Sequence, residues 1–534
     1  MEMGAYPELE RKWAALNRVL FGQEVGRLAE FEDYLREFNE PVQHKKSTVS
    51  GKEVAYANNE YCATAKRMSF DEVDYSKKYA PLGINNIKDI DSLIEAAGER
   101  AHYTGNVILG NSKFVEKSSS VSDSHFVHLS AEVAASRYVA YSTIVRDCEN
   151  VFGCNTGGLC SFLLRCNGFI EVTRCFETWM GSASSDCYYC HNVDGCHDCI
   201  FCFNLRNGRF CIGNLPLSKE RYLELKKKLV SEIAELVKKK KAPSLVALAA
   251  ASKNCSAEIR QKLEGRTSAV QQKTDKAVVE KAFEKTTELI LGKGLVGMDN
   301  YSAWLSRHGK EMKKGKSVIS GKEVMCANYG GRFFLPDDRF IADDEIAEFG
   351  KEIKLDEGEA EKLGVSNAPA LIGKIACFNP SIISGKSRNV IECASVIESN
   401  DCYRCISLGH SEKCAYTFVP RYSEHLMGSS WVLRSSFCLK CYNSTKITRC
   451  FEVDNATACT GCYFCHNIEN CHECMFCFNV KNLKYAIGNA EVGREKYMEA
   501  KAALQDWLLG QLAKKKEVEL DIFNLGCAGK GKRK

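Results

Sequence analysis

The sequence predicts a mixed fold in which β-solenoids are combined with α-helices. Three observations lead to this fold class: cysteines placed on a 12-residue grid, a second copy of the same pattern later in the chain, and amphipathic helical segments beside each copy. A fixed short period with small residues in fixed columns is typical of a solenoid, whose repeats pack on their neighbours. We therefore expect two 12-residue-repeat β-helices, each flanked and capped by α-helices.

The grid contains 24 of the 29 cysteines. Counting in twelves from Val115, every cysteine up to Asn214 occupies column one, four or ten, and the same holds from Val390 to Asn489. Columns one, four, seven and ten are filled mainly by Val, Ser, Cys, Gly and other small residues, as expected for a narrow bore. Twelve residues are too few for a coil that contains a helix. Each coil should therefore consist of two short strands and two tight turns, with Asn recurring in column six at a turn.

The chain contains two copies of one module. Residues 173–214 match residues 448–489 at 22 of 42 positions with a constant offset of 275, and the motif SGKEV occurs at Ser50–Val54 and again at Ser320–Val324. Lys-rich helical segments begin near Ser218 and Gly493, directly after each grid. Since the end of a solenoid is an unpaired strand edge, we expect these helices to cap the last coils.

These patterns divide the chain into seven predicted regions. They are an N-terminal helix with the first SGKEV segment (1–102), the first solenoid (103–214), a capping helix with a helical linker (215–310), the second SGKEV segment (311–377), the second solenoid (378–489), a capping helix (490–525) and a disordered basic tail (526–534).

Composition narrows the classes of protein to consider. The chain has 534 residues and a formal net charge of +5, which argues neither for nor against nucleic acid binding. The first 35 residues have an amphipathic helical pattern and not that of a secretory signal, and no apolar run is long enough for a membrane span. We expect a cytoplasmic protein with reduced cysteines.

Three interpretations of the cysteines remain open. The first is that they fill the core, since a buried reduced Cys behaves as a small hydrophobe. The second is that they bind Zn²⁺ or an iron–sulfur cluster in the Cys-dense last coils. That alternative is carried by Cys187, Cys190, Cys196, Cys199 and Cys202 in the first copy, and by Cys462, Cys465, Cys471, Cys474 and Cys477 in the second.

Two features of the sequence argue against the metal-binding interpretation. Only eight residues separate Cys190 from Cys199, although paired Cys-x-x-Cys knuckles are a strong zinc signal only with a longer loop. The histidines also lie outside the inward columns, so they should face away from the thiols. The third interpretation is a set of disulfides across one coil, joining Cys154 to Cys160, Cys190 to Cys196 and Cys465 to Cys471.

No catalytic constellation stands out in the sequence, and there is no Gly-rich phosphate loop. Rows of outward aromatic residues accompany the cysteines, namely Tyr188, Tyr189, Phe201, Phe203, Tyr463, Phe464, Phe476 and Phe478. They are expected to pack on the capping helices or to form an interface between modules or with a protein partner. The Lys-rich helices and tail could contact nucleic acid, but no aromatic residues interleave their charges, so that partner is not favoured.

The text CIFCFNLRNGRFCIGNLPLSKERY, from Cys199 to Tyr222, resembles the C-terminal signature of uncharacterised cysteine-rich proteins of ultra-small bacteria and archaea, sometimes labelled caib/baif family protein. The positions of Leu205, Asn207, Cys211 and Asn214 match that signature. The second copy departs from it at Ala486, where the signature has Cys. The resemblance covers the solenoids and the helices after them, and it implies no activity.

The sequence therefore favours a non-catalytic structural or protein-binding scaffold built from two β-solenoids, for which no cofactor is predicted. The first alternative is a metal-binding protein that uses zinc or iron–sulfur chemistry in the last coils. The second alternative is an enzyme with a site between the two modules.

Overall fold

A computed structural model describes residues 4–40, 42–57, 60–82, 90–266 and 274–527. It is a mixed α/β structure with many parallel strands in long sheets. The helices in the described residues are α1 Ala5–Phe21, α2 Glu32–Arg36, α3 Ile90–Gly98, α4 Lys219–Lys238, α5 Leu245–Ala251, α6 Ser256–Leu263, α7 Ala277–Leu291, α8 Ser302–Ser306, α9 Ile346–Glu352, α10 Glu357–Lys362, α11 Ala368–Leu371 and α12 Arg494–Lys515.

The strands of residues 108–216 form what we call the N-terminal stack. Its strands pair in parallel at a register of 12 residues, so that Arg137 lies beside His125 on one side and Glu149 on the other. One sheet contains Lys113–Glu116, His125–His128, Arg137–Ala140, Glu149–Phe152, Ser161–Leu164, Thr173–Phe176, Ser185–Tyr188, His197–Ile200, Arg209–Ile212 and Leu215–Pro216. The other contains Ile108–Leu109, Ser119–Ser122, Ala131–Ala134, Thr143–Arg146, Asn155–Gly158 and Asn167–Ile170.

Residues 383–491 form the C-terminal stack, with the same 12-residue parallel register; Val390, for example, pairs with Cys402. Its strands are Ile383–Ser384, Arg388–Ile391, Ala394–Ile397, Asn400–Tyr403, Ile406–Gly409, Glu424–Met427, Ser430–Leu433, Ser436–Leu439, Tyr442–Thr445, Phe451–Thr457, Tyr463–Glu469, His472–Met475, Phe478–Lys481, Lys484–Ile487 and Ala490–Glu491. Isolated parallel bridges such as Tyr403 to Ala415 continue the register between these strands.

Every third residue of each stack points into a shared core. Val127, Val139, Cys402 and Cys414 are all 0% exposed, as the column assignment predicts. Phe169 is the largest side chain in this core of the N-terminal stack, and the preceding repeat makes room for it. A Cβ at Gly157 would lie 2.1 Å from the Phe169 ring, so only glycine fits there.

Left-handed backbone recurs at every third residue and not only at the predicted Asn turns. Asn192 and Asn467 are left-handed as expected, but so are Phe126 and Ile144, both with φ of 58°. A left-handed non-Gly residue costs about 1 kcal/mol. Repeated backbone hydrogen bonds offset this cost, such as the one from Tyr141 N to His128 O at 3.1 Å. The chain therefore bends four times in each 12 residues, where the sequence alone indicated two turns.

The last strand of each stack is closed by a short antiparallel strand. Leu215–Pro216 pairs with Arg209–Ile212, and Ala490–Glu491 pairs with Lys484–Ile487. Helix α4 or α12 follows directly and contacts the last long strand of its own stack. Their tyrosines, Tyr222 and Tyr497, are 0% exposed. The strand edge at this end is thus paired and covered.

Three two-stranded sheets lie outside the stacks. Two are antiparallel hairpins whose turns carry the SGKEV motifs: Gln43–Lys46 with Glu53–Tyr56, and Met312–Lys316 with Glu323–Ala327. The third pairs Lys66–Ser69 with His102–Gly105 in parallel. Short 3-10 turns occur at Leu28–Phe31, Phe70–Glu72, Met298–Tyr301, Arg332–Phe334, Asp337–Arg339, Asp343–Glu345, Ile372–Lys374 and Leu525–Cys527.

The segments that precede the two stacks are exchanged between the halves of the chain. Helix α1 packs on the N-terminal stack and α7 on the C-terminal stack, each on the stack of its own half. Residues 60–82 and 90–105, however, contact the C-terminal stack, where Tyr103 packs on Phe478. Residues 329–378 contact the N-terminal stack, where Phe378 packs on Phe203. We call these the first and second exchanged segments.

The predicted basic tail begins within the ordered structure. Gly526 and Cys527 belong to a 3-10 turn, and the N–H of Gly526 donates to the Tyr103 hydroxyl at 3.1 Å. The remainder of that predicted tail, residues 528–534, lies outside the described residues.

Candidate functional site

The ten predicted metal-binding cysteines all point into the cores of the stacks. Cys187, Cys190, Cys196, Cys199 and Cys202 belong to the core of the N-terminal stack, and Cys462, Cys465, Cys471, Cys474 and Cys477 to that of the C-terminal stack. Each is 0% exposed and each is a free thiol. The structure thus brings each set of five together along one bore.

Side chains in columns four and ten hydrogen-bond to the backbone of the next repeat. The Cys190 thiol donates to the carbonyl of Tyr188 at 3.4 Å, and its Sγ accepts the N–H of Cys202 at 3.4 Å. Ser130 makes the same two bonds, to the His128 carbonyl at 2.8 Å and from the Ser142 N–H at 3.1 Å. In these columns Ser and Cys each supply an acceptor to a buried N–H, which would cost about 1–3 kcal/mol if it were left without a partner.

Column one has a different requirement. The Cys187 thiol donates to the carbonyls of Ser185 at 3.3 Å and Cys196 at 3.8 Å, and its sulfur accepts no N–H from the described residues. An apolar side chain therefore suffices, and Val127 and Leu163 occupy the same column. The hydrogen bonds explain why Ser is common in columns four and ten but not in column one.

The thiols are held mainly in their protonated form. Burial raises the pKa of Cys190 and Cys477 well above the usual range of a thiol. At Cys202 burial also acts to raise the pKa, but hydrogen bonds from Cys190 and Cys199 outweigh it and lower the pKa to about 6. Coordination of a metal ion by these cysteines would require the loss of their thiol protons.

Within the described ranges, no group of three or more His, Cys, Asp or Glu side chains is arranged to hold a metal ion. The four histidines nearest the cysteines lie outside the bores. His191 and His466 are 0% exposed beneath the exchanged segments, whereas His197 and His472 are exposed to solvent. The thiols and imidazoles therefore do not converge.

The predicted disulfide partners are free thiols in the structure: Cys154, Cys160, Cys190, Cys196, Cys465 and Cys471. A disulfide instead joins Cys62 to Cys527, with their Cα atoms 6.5 Å apart. Both lie outside the grid, but so do the free cysteines Cys255, Cys326 and Cys377, so the sequence alone does not single out this pair. The bond attaches the first exchanged segment to the end of the described chain.

A buried polar cluster fixes the first exchanged segment to the C-terminal stack. His466 Nδ1 lies 2.9 Å from the Asp454 carboxylate, and its Nε2 accepts the N–H of Thr104 at 3.1 Å. The Tyr61 hydroxyl donates to the same carboxylate at 2.8 Å. The imidazole thus bridges two parts of the chain that are 362 residues apart in sequence.

The equivalent position of the N-terminal stack is apolar. His191 corresponds to His466 at the offset of 275, and Trp179 corresponds to Asp454. Neither ring nitrogen of His191 has a hydrogen-bond partner among the described residues, and its ring packs 4.8 Å from that of Phe378. Burial lowers the pKa of His191 to about 3, so the imidazole is neutral.

Each stack also has a buried ion pair between a basic residue and a glutamate at equivalent positions. Arg165 lies 2.6 Å from Glu177, and Lys440 lies 3.7 Å from Glu452. All four side chains are essentially unexposed. Each carboxylate also accepts an N–H from the chain that follows its stack, from Leu245 at 3.0 Å or Ile522 at 3.0 Å.

The outward aromatic residues are covered by the protein itself. The Tyr188 hydroxyl donates to Leu20 O in α1, and that of Tyr463 donates to Ile290 O in α7. Phe203 and Phe478 contact the exchanged segments of the opposite half. These rows therefore form the contacts within and between the two halves.

Comparisons of the chain with protein-family models, with curated proteins and with solved structures found no match. Among the described residues, no helix combines the length and the apolar character that crossing a membrane requires.

Proposed function

We propose that this protein is a non-catalytic scaffold in which two β-solenoids present their outer faces to a protein partner. Support comes from the 12-residue parallel register of both stacks and from a core formed by every third residue. The cysteines act as core residues here, because their thiols are already engaged by backbone groups.

We also propose that the two halves arose by tandem duplication of one cysteine-rich module, related to the family that the sequence resembles. Equivalent residues at the offset of 275 make equivalent contacts. Examples are the two buried ion pairs, Arg165 with Glu177 and Lys440 with Glu452. The exchanged segments give the halves the reciprocal contacts of a two-fold dimer within one chain.

The reciprocal exchange is the observation that carries the scaffold proposal. Each stack is covered by a segment from the other half, through Asn204 donating to Cys377 O at 2.8 Å and Asn479 donating to His102 O at 2.9 Å. Such contacts hold the two stacks at a fixed distance from each other, so that the relative position of their exposed faces is also fixed. That is the property a scaffold needs.

Columns eight and nine form the face that we assign to the partner. Leu159, Ile170, Ile397 and Tyr422 all lie in these columns and are 47–59% exposed. The other outer columns are covered to a greater extent by helices and exchanged segments. Exposed apolar residues aligned on one face of each stack are typical of a protein-binding surface.

The proposal is tested by charge substitutions on that face. Ile170→Glu and Ile397→Glu in the full chain should abolish partner capture by cross-linking in cells while leaving the melting temperature unchanged. Leu223→Glu, on the exposed side of α4, is a matched control, since Leu223 is also 48% exposed. Unchanged capture by both face variants would refute the assignment.

The metal-binding alternative has its own test, which is to measure zinc and iron in protein purified without chelator. Stoichiometric metal whose removal unfolds the protein would favour that alternative.

A further inference from the structure

A cleft of about 500 Å³ opens on the N-terminal half, away from the face proposed for a partner. It lies between α1, α2, the first hairpin and the outer side of the N-terminal stack. Its volume is that of a site for a small molecule. Tyr6, Glu53, Lys117, His128 and Leu129 are among the residues that line it.

Two buried polar atoms in this cleft lack a hydrogen-bond partner among the described residues. They are the hydroxyl of Tyr6 and the Nδ1 of His128. His128 is 7% exposed, and its Nδ1 lies 3.4 Å from Glu116, outside hydrogen-bonding geometry. The rings of Tyr6 and Tyr141 pack edge-on against the imidazole at 5.1 and 5.8 Å. Both atoms are therefore available to form a hydrogen bond with a molecule in the cleft.

The equivalent region of the C-terminal half is filled by ion pairs. Glu392, which corresponds to Lys117, pairs with Lys314 at 2.8 Å and with Arg404 at 2.7 Å. Arg404 corresponds to Leu129, so one half has an arginine where the other has a leucine. Asp299 also accepts a hydrogen bond from Tyr416 at 2.9 Å. The N-terminal half lacks this network, and the cleft occupies its place.

The charges in the cleft indicate the chemistry of its ligand. Arg36 and Glu32 pair with each other at 2.8 Å, whereas the side chains of Lys117 and Glu53 are exposed to solvent, and neither has an ion-pair partner among the described residues. One unpaired cation and one unpaired anion are complementary to a zwitterion. Leu129, together with the aromatic rings, provides an apolar wall for a side chain.

We infer that this cleft binds a free α-amino acid with an apolar side chain. Lys117 pairs with its carboxylate and Glu53 with its ammonium group, while the Tyr6 hydroxyl and His128 Nδ1 form the remaining hydrogen bonds. The inference is independent of the scaffold proposal, because it concerns a different surface and a different class of ligand.

Calorimetric titration of the full chain with L-phenylalanine tests the inference. Two analogues serve as probes of the two charges: phenylalaninamide lacks the carboxylate and 3-phenylpropionate lacks the ammonium group. We expect binding of the amino acid, weakened about ten-fold or more for each analogue, as for loss of one charge-assisted contact. Absence of binding at millimolar concentration, or equal affinity for all three, overturns the inference.

A double variant that closes the cleft provides the second test. Lys117→Glu with Leu129→Arg transfers the Glu392 and Arg404 pair of the C-terminal half to the N-terminal half. It should abolish binding while the melting temperature is retained, and Tyr6→Phe should weaken binding without closing the cleft. Lys113→Met, an exposed lysine on the same strand region, should bind as the wild type does. Full affinity in the folded double variant would place the ligand elsewhere.

Discussion

The backbone N–H of Cys405 donates to the Sγ of Cys393 at 3.2 Å, and these residues are 12 positions apart in column four. The sulfur of one repeat thus stabilises the backbone of the next. The same bond links Cys477 to Cys465 at 3.4 Å and Ser411 to Ser399 at 3.1 Å. Cysteine and serine are interchangeable here because each offers one acceptor and one donor within a small volume.

This bond predicts which cysteine substitutions are costly. At Cys190, Ala should destabilise the protein by about 1–3 kcal/mol more than Ser, because Ala leaves the buried N–H of Cys202 without an acceptor. Column one provides the control. At Cys402, Ala and Ser should have similar effects of about 1 kcal/mol, since its thiol only donates, to Asn400 O at 3.2 Å.

Denaturant unfolding of the four variants measures these differences. An unpaired buried hydroxyl would make Ser worse than Ala in column one. The carbonyl of Asn400 supplies a partner and removes that penalty. If Ala and Ser at Cys190 destabilised the protein equally and severely, and a chelator destabilised the wild type to the same extent, the thiols would be metal ligands and not core residues.

A charge in the bore should prevent folding. Val139→Asp places a carboxylate at a site that is 0% exposed and surrounded by apolar side chains, with no cation to pair it. Arg137→Asp, on the outer side of the same strand, should fold normally. Circular dichroism and soluble yield distinguish the two variants. A folded Val139→Asp protein would contradict the core assignment.

The periodic features of the two stacks could be predicted from the sequence alone. The inward columns follow from spacing, because within a stack each repeat pairs with the repeats 12 residues before and after it, as Val139 does with Val127 and Val151. The exchanged segments could not be predicted in this way. Thr104 meets His466 across 362 residues, and neither residue belongs to a pattern that would relate them. The Cys62 to Cys527 disulfide was missed for the same reason.

The two equivalent histidines should differ in their importance. His466→Phe removes the bonds to Thr104 and Asp454 and leaves a buried carboxylate with fewer partners, so it should destabilise by about 2–4 kcal/mol. His191→Phe removes no hydrogen bond among the described residues and should be neutral or stabilising. Thermal unfolding of both variants compares the sites directly. Equal losses would show that the polar cluster does not hold the exchanged segment.

The disulfide predicts a specific response to reduction. Opening the bond between Cys62 and Cys527 should lower stability by about 2–4 kcal/mol, since it releases the first exchanged segment from the C-terminal region. Reductant should therefore lower the melting temperature of the wild type but not that of the Cys62→Ser/Cys527→Ser variant. A chelator should change neither. A reductant effect that persists in the double variant would locate the sensitive bond among the other 27 cysteines.

Stability should fall as the pH rises above 7 because of His308. This imidazole lies 3.0 Å from Asp521 and also contacts Glu60 of the first exchanged segment. Burial acts to lower its pKa, but the hydrogen bonds to the two carboxylates outweigh burial and raise the pKa to about 9. A pKa raised above the unfolded value of 6.5 means that the folded state holds its proton more tightly. The stabilisation, at most about 3 kcal/mol, is complete below pH 6.5 and is lost as the pH rises to 9.

Denaturant unfolding from pH 6.5 to 9.5 measures this loss of stability, and in the His308→Gln variant the dependence of stability on pH should be weaker. Other groups also affect stability in or near this range, such as Cys202, whose lowered pKa of about 6 acts in the opposite direction, and Glu452, with a pKa raised by burial to about 7. They are present in both proteins, so the difference between the two slopes measures the contribution of His308. An identical slope for wild type and His308→Gln would show that this histidine is not the group that titrates.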